Sequence, residues 1–281
     1  MAYALPATIE EALRLRDTGD SVIIAGGTDI YPASVDQAIH ENIIDISRVD
    51  GLSAIESNDR NYRIGALITW TQMLEADLPP AFDALKLAAR EVGSVQIQNV
   101  ATVVGNICNA SPAADGLPPL LALNAEIEIR SIDNVRIVPL SDFVLGNRET
   151  VLKANEMVTA ILIPRSVDRD CSNFIKLGAR KYLVISIAMV AANISLDANA
   201  RIEQVKIAVG SCAAVAKRIP ALEKSLVGLT KDDFAPNRLT DEHLLTVLSP
   251  IDDIRATKPY RLHAARILVT RAIRNCLRQS K

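Results

Sequence analysis

Ser21-Val22-Ile23-Ile24-Ala25-Gly26-Gly27-Thr28-Asp29-Ile30 is the stretch on which the reading of this chain turns. An apolar, β-branched run stops at a glycine pair and passes into small polar residues, the pattern of a buried strand delivered into a turn. Glycine tolerates φ > 0 and lets backbone N–H groups come close to a ligand. Successive N–H groups in such a turn form an anion-binding concavity. A second stretch repeats the pattern: Thr102-Val103-Val104-Gly105-Asn106-Ile107-Cys108-Asn109-Ala110-Ser111-Pro112-Ala113-Ala114-Asp115. Two such turns can hold a diphosphate from both sides, which makes a nucleotide cofactor the first hypothesis. Either turn alone reads first as a structural tight turn. Neither fits the Gly-x-Gly-x-x-Gly fingerprint, and no Gly-Lys-Ser/Thr phosphate loop is present, so spacing alone selects no cofactor.

Outward from the first turn, residues 8–17 read as a helix capped by Thr8, with Glu10 and Glu11 in its first turn and Gly19 beyond its end. Strands are expected at Val22–Ala25 and Asn42–Ile46, which makes a first lobe of about 1–55. Tyr62–Ile68 opens a second lobe, about 56–168, as a strand. Pro79-Pro80 marks a turn, and Phe82–Val92 is an amphipathic helix. Leu117–Leu123 reads as a short helix, and Ala125–Arg130 and Val135–Pro139 as paired strands. Pro164–Asp170 is polar and charged and reads as a linker or boundary. Strands follow at Ser172–Leu177, Val184–Leu196 and Val205–Val209, with Asp197–Ala200 as a hairpin turn. Helices then follow at Pro220–Val227, Asp241–Leu248 and Lys258–Arg278. A sheet followed by helices is an α+β plan.

The 281 residues carry a formal charge of −2, are 49% hydrophobic and only 4% aromatic. That is enough apolar material for a core, and no basic-aromatic stripe points to nucleic acid. No apolar run reaches the ~18 residues of a membrane span, and the start, Met1-Ala2-Tyr3-Ala4-Leu5-Pro6, lacks the charged and apolar regions of a signal peptide. The four cysteines, Cys108, Cys171, Cys212 and Cys276, form no Cys-x-x-Cys pair. They read as small buried residues in a reducing cytoplasm rather than as metal ligands. Cys108 stands apart because it lies inside the second glycine-bearing stretch. No nucleophile–base pair or paired carboxylate stands out, and the three histidines match no catalytic constellation.

Ala25-Gly26-Gly27-Thr28-Asp29, Thr102-Val103-Val104-Gly105-Asn106 and Ala110-Ser111-Pro112-Ala113-Ala114-Asp115 together resemble the FAD-binding (medium) subunit of molybdenum hydroxylases, the carbon monoxide, xanthine and nicotinate dehydrogenase family. The resemblance continues at Asp142–Gly146, at Asn155–Val158 leading to Ile161–Pro164, and at Phe174–Lys181, in family order and over nearly the whole chain. It implies a two-lobed FAD-binding domain of the molybdopterin-dehydrogenase (PCMH-like) type over 1–168. An α+β C-terminal domain of sheet plus helices then covers 169–281.

The resemblance also implies residue roles. Ile23, Ile24, Ala25, Gly26, Gly27, Thr28, Asp29 and Ile30 map onto the first FAD segment, whose N–H groups receive the diphosphate. Thr102, Val103, Val104, Gly105 and Asn106 map onto the second. Asp115 matches an acid that accepts from the cofactor's sugar-derived hydroxyls; from the residues alone it reads equally as an N-cap of the Leu117–Leu123 helix. Val158 matches an apolar position against the flavin, or is a core strand residue. Lys176 matches a lysine near the isoalloxazine, or is a surface charge on a strand edge. Tyr182 is a candidate for stacking near the ring. Val104 departs from the Gly-Gly of many relatives, and Gln98-Asn99-Val100-Ala101 from the arginine and glycine many of them carry there.

The family plan implies no catalytic group and no metal ligand in this chain. A molybdopterin-binding large subunit and a small subunit with two iron–sulfur clusters of the 2Fe–2S type are the expected partners. Electrons leave the FAD for NAD, a quinone or O2, and the expected location is the cytoplasm. The alternatives are a stand-alone FAD oxidoreductase and a cofactor-free structural subunit.

Overall fold

The structure, a computed structural model, describes residues 2–35, 39–235 and 238–279. It falls into two compact units that interleave along the chain. Unit 1 comprises Met1–Ala76, Ser94–Ala110 and Ala125–Ile163, and unit 2 comprises Asp77–Gly93, Ser111–Asn124 and Pro164–Lys281.

Unit 1 begins with a three-stranded sheet in the order Tyr3–Ala4, Asn42–Asp45, Ser21–Ile24, with both pairings parallel. The Ile9–Asp17 helix starts at a capping box: Thr8 Oγ1 accepts from the Glu11 N–H, and the Glu11 carboxylate accepts from the Thr8 N–H. Two of the helix's orphan donors are thereby met. A five-stranded sheet follows in the order Ile55–Ser57, Asn61–Gly65, Met157–Pro164, Glu126–Arg130, Val135–Pro139. Its middle strand is buried along nearly its whole length, the pattern of a strand covered on both faces.

Unit 2 is built on a four-stranded antiparallel sheet ordered Cys171–Leu177, Ala188–Leu196, Ile202–Gly210, Lys217–Arg218. Alternate residues of the Ala188–Leu196 strand face opposite ways. Ala188, Val190, Ala192 and Ile194 join a core with the Pro220–Leu226 and Lys258–Gln279 helices. Met189 and Ala191 join Phe174 and pack with Ala84 and Ala88 of the Asp83–Glu91 helix and Ala122 of the Leu117–Ala122 helix.

Several expectations change. Thr102–Gly105, read as a glycine turn, is the start of a helix. Thr102 is the N-cap of a helix, Val103–Cys108, and its Oγ1 accepts from the Gly105 N–H at 2.9 Å. Asp115 caps nothing: the Leu117–Ala122 helix has Gly116 at its N-cap with no side-chain cap bond. The strand expected from Val184 begins at Ala188. The Pro164–Asp170 segment does lie at a boundary, since unit 1 ends at Ile163 and unit 2 resumes at Pro164, but it is packed structure and not a linker: Val167 and Asp170 are buried and Arg165–Val167 forms a 3₁₀ turn. Short helices at Trp70–Glu75 and Val95–Gln98 had no expectation attached to them.

Candidate functional site

The first glycine turn leaves the parallel sheet where the Ser21–Ile24 strand ends. Ile24 stays in the sheet, and its carbonyl accepts from the Ile46 N–H at 2.9 Å. Beyond it the backbone N–H groups of Ala25, Gly26, Gly27, Thr28, Asp29 and Ile30 find no partner among the described residues. All of these residues except Asp29 are partly shielded from solvent. Gly27 sits at φ +67°, the left-handed region that favours glycine, and a Cβ there would lie 2.5 Å from the Tyr31 ring. Half-shielded N–H groups in native proteins find partners, and a run of them turned through a left-handed residue is a concavity suited to an anion. These residues fit a phosphate-bearing group.

Gly26 serves a different purpose. A Cβ there would lie 2.0 Å from the Val100 carbonyl oxygen and 2.9 Å from Ala101 Cα. The missing side chain lets the first turn close onto the backbone that leads into Thr102, so the two stretches singled out in the sequence come together within unit 1. That backbone is itself fixed, because Trp70 N–H donates to Ala101 O at 3.1 Å and Val103 N–H donates to Ile68 O at 3.0 Å.

The second stretch supplies fewer donors than its sequence suggests. The N–H groups of Val103, Gly105 and Asn106 are taken by Ile68 O, Thr102 Oγ1 and Thr102 O. The Val104 N–H finds no partner among the described residues. The Val104 side chain is only 4% exposed, so the β-branched residue is accommodated in the core. Cys108 is a free, partly buried thiol that burial pushes up to about 12. Val158, in the middle strand of the five-stranded sheet, is buried as well.

In unit 2, Asp115 and Lys176 are brought to each other. Lys176 Nζ lies 2.6 Å from Asp115 Oδ2, with side-chain exposures of 6% and 8%. Ser186 Oγ donates to Asp115 Oδ1 at 2.7 Å, and Lys176 also donates to the Glu91 carbonyl at 3.4 Å. Burial pushes the Asp115 carboxyl above its ordinary value, against the pull of Lys176 and Ser186. Lys176 is on an edge strand of its sheet, as the sequence allows, but it is not a surface charge. Ser186 had not been singled out. Only its place in a run of apolar residues marks it, and one hydroxyl in such a run ordinarily means nothing. Tyr182 is 60% exposed, with Lys181 Nζ 5.0 Å from its ring centroid. Among the described residues no cluster of His, Cys, Asp and Glu could hold a metal ion.

Comparison with known proteins supplies the frame for this geometry. Residues 1–166 match the family described as the FAD binding domain in molybdopterin dehydrogenase. Residues 173–276 match the carbon monoxide dehydrogenase flavoprotein C-terminal domain. The xanthine dehydrogenase FAD-binding subunit of Escherichia coli O157:H7 is 31% identical, over 97% of this chain and 94% of the relative. The nicotine 6-hydroxylase medium subunit of Paenarthrobacter nicotinovorans is 29% identical, over 96% and 95%. Among solved structures, carbon monoxide dehydrogenase from Hydrogenophaga pseudoflava superposes with a TM-score of 0.89 at 25% identity, covering 100% of this chain and 98% of that one.

Proposed function

The chain belongs to the family of FAD-binding subunits of molybdopterin dehydrogenases, and from that premise we propose which of its residues serve the flavin and what it works with. It is a FAD-carrying, electron-transferring component of a multi-subunit oxidoreductase. Bound FAD supplies a centre that accepts electrons and passes them on. The protein's part is to bind, orient and tune it.

The observation that supports the assignment of residues is the run of unpartnered N–H groups from Ala25 to Ile30 around the left-handed Gly27. We assign these groups to the cofactor's diphosphate. Ile23 and Ile24 deliver the turn from the sheet. Val100 and Ala101 form the wall against which the turn closes, and Thr102 to Asn106 follow directly from it, with the Val104 N–H as an added donor. In this reading Asp115 accepts from sugar-derived hydroxyls, Val158 lies on the flavin's apolar side, and Lys176 places a cation with the ring. A carboxylate has about four acceptor positions, so Asp115 can keep Lys176 and Ser186 and still accept a further hydroxyl. The functional division is 1–168 for the cofactor and 169–281 for the C-terminal domain.

The proposed partners are a molybdenum-bearing large subunit and an iron–sulfur small subunit. NAD, a quinone or O2 is the external acceptor. None of the described helices is long and apolar enough to cross a membrane, and we place the protein in the cytoplasm.

Purification of the tagged chain from its native host tests this reading. The intact assembly is expected to contain flavin, iron and molybdenum. The chain separated from its partners is expected to retain none of the metals and to hydroxylate no substrate, while flavin added back still accepts electrons from NADH or another donor for transfer to a dye. Substrate hydroxylation by the separated chain would overturn the assignment.

A further inference from the structure

Residues 178–185 form a loop between the Cys171–Leu177 and Ala188–Leu196 strands. Among the described residues, no hydrogen bond made by residues 178–185 leaves the loop. Inside it, the Arg180 Nε donates to the Leu183 carbonyl at 3.1 Å, and Leu183 itself sits at φ +50°. A Cβ on Gly178 would lie 2.4 Å from Val184, so the loop folds tightly on itself. It exposes Tyr182, Leu183 and Ile185. The hydrogen bonds that tie this loop to the rest of the unit are made at its flanks.

The flanks converge on one carboxylate. Lys176 lies just before the loop and Ser186 just after it. They take Asp115 Oδ2 and Oδ1 at 2.6 and 2.7 Å. The flanks also meet each other, because Ile187 N–H donates to Leu177 O at 2.7 Å, and Arg261 Nη1 donates to Ile187 O at 2.6 Å. Asp115 itself is fixed, because it lies two residues before a helix whose Ala122 is packed on the sheet with Met189 and Ala191. Both side chains that reach it are buried.

We infer that Asp115 is the anchor of the 178–185 loop, holding both flanks and the Lys176 ammonium through one carboxylate, and that Ser186 is a positioning residue for that ammonium. The anchoring stands on the geometry of unit 2. Its consequence for the flavin rests on the reading of Lys176 above. Removing Ser186 loosens one flank and leaves the other attached. Removing the Asp115 charge weakens both side-chain ties and strands the lysine, leaving the flanks joined only by the Ile187–Leu177 and Arg261–Ile187 bonds and the strand pairing.

Arg180 and Lys181 are exposed and give trypsin two sites inside the loop. In the full chain, S186A and D115N are expected to be cut after these residues about tenfold faster or more than the wild type, normalised to cleavage elsewhere. The loss of one charge-assisted hydrogen bond shifts an opening equilibrium by that order. S186A keeps the test valid if D115N does not fold. In the flavin-loaded assembly, K176M is expected to lower the flavin reduction potential and D115N to raise it, because the carboxylate offsets the ammonium. Loop cleavage unchanged in both S186A and D115N overturns the anchor. Flavin content read on the same samples keeps the two ideas apart. Fast loop cleavage in both variants, when even the unaltered chain binds no FAD, upholds the anchor and counts against the flavin reading. Loss of FAD with unchanged loop cleavage does the reverse.

Discussion

Gly26→Ala is expected to give a protein with its secondary structure intact, a lower melting temperature and little bound FAD. The added methyl would lie 2.0 Å from the Val100 carbonyl oxygen and 2.7 Å from the Val100 carbonyl carbon. These are backbone atoms, and the segment they belong to is tied at both ends of the Ala101–Val103 stretch to Ile68 and Trp70. No side chain can swing aside. The two segments must part, and overpacking of this kind costs about 1–3 kcal/mol. Separation also spoils the register between the Ala25–Ile30 donors and the Val104 N–H. Gly51→Ala is the control. Gly51, unlike Gly26, has positive φ, at +77°, but a Cβ there meets nothing within 4 Å, so it should lose stability through backbone strain and keep its flavin. Circular dichroism, thermal melting and the flavin-to-protein absorbance ratio decide between them. Equal flavin content in the two variants would show that the closure of Gly26 onto Val100 has no bearing on the cofactor.

Lys206→Ala is expected to be among the most destabilising single changes in the C-terminal half. Lys206 Nζ lies 3.0 Å from Asp170 Oδ2, and the two side chains are 6% and 1% exposed. They sit on the sheet face that also carries Asn193, whose register partner is Lys206. Burial holds the Asp170 carboxyl above its ordinary value, and Lys206 pulls it back down. Truncating the lysine leaves an unpaired carboxylate in the interior, which costs about 3–5 kcal/mol. A carboxyl whose folded pKa lies above its unfolded one contributes stability below the unfolded value and loses it as pH rises from there through the folded value. The deficit of Lys206→Ala is therefore expected to shrink on acidification. Urea unfolding at two pH values measures this, and Lys206→Met combined with Asp170→Leu should recover most of the loss. A single-variant deficit that grows in acid would contradict the assignment of the pair.

The local chemistry of the sequence was readable where one residue decided it. Thr8 with Glu11 announces a helix start, and the structure builds that capping box. Ser21–Ile24 enters the first glycine turn as a strand. Val103-Val104-Gly105 reads as a β-branched run ending in a glycine turn, yet such a short run looks alike in a strand and in a buried helix, and Thr102, which caps the helix in the structure, is the local signal that distinguishes them. Asp115 misled for a related reason. An Asp just ahead of a helix ordinarily caps it, but its oxygens are claimed by Lys176 and Ser186, which lie far along the chain. Long-range partners leave no mark on local sequence. The same is true of the interleaving of the two units: nothing in 83–91 or 117–122 announces that these helices pack on a sheet formed after residue 170. Asn193 and Lys206 inside apolar strands were the faint trace of that covering layer. Ala188–Leu196 is buried over nearly its whole length and Ile202–Gly210 from Val205 onward, and isolated polar residues inside such runs imply a second face with something on it.

The central claim is that the backbone of Ala25–Ile30 holds the cofactor by its diphosphate. Titrating FAD and riboflavin into the purified full chain, followed by quenching of flavin fluorescence, tests this most directly. Riboflavin has the same ring and ribityl chain and no phosphate. Hydrogen bonds to a charged group contribute about 1.5–3 kcal/mol each, so even two of them separate the ligands by ~100-fold or more in affinity. The account predicts that FAD binds at least that much more tightly than riboflavin, and that Gly27→Val erases the difference by lowering FAD affinity alone. Equal affinities for the two flavins in the unaltered chain, or a Gly27→Val variant that binds FAD as well as the wild type, would contradict it.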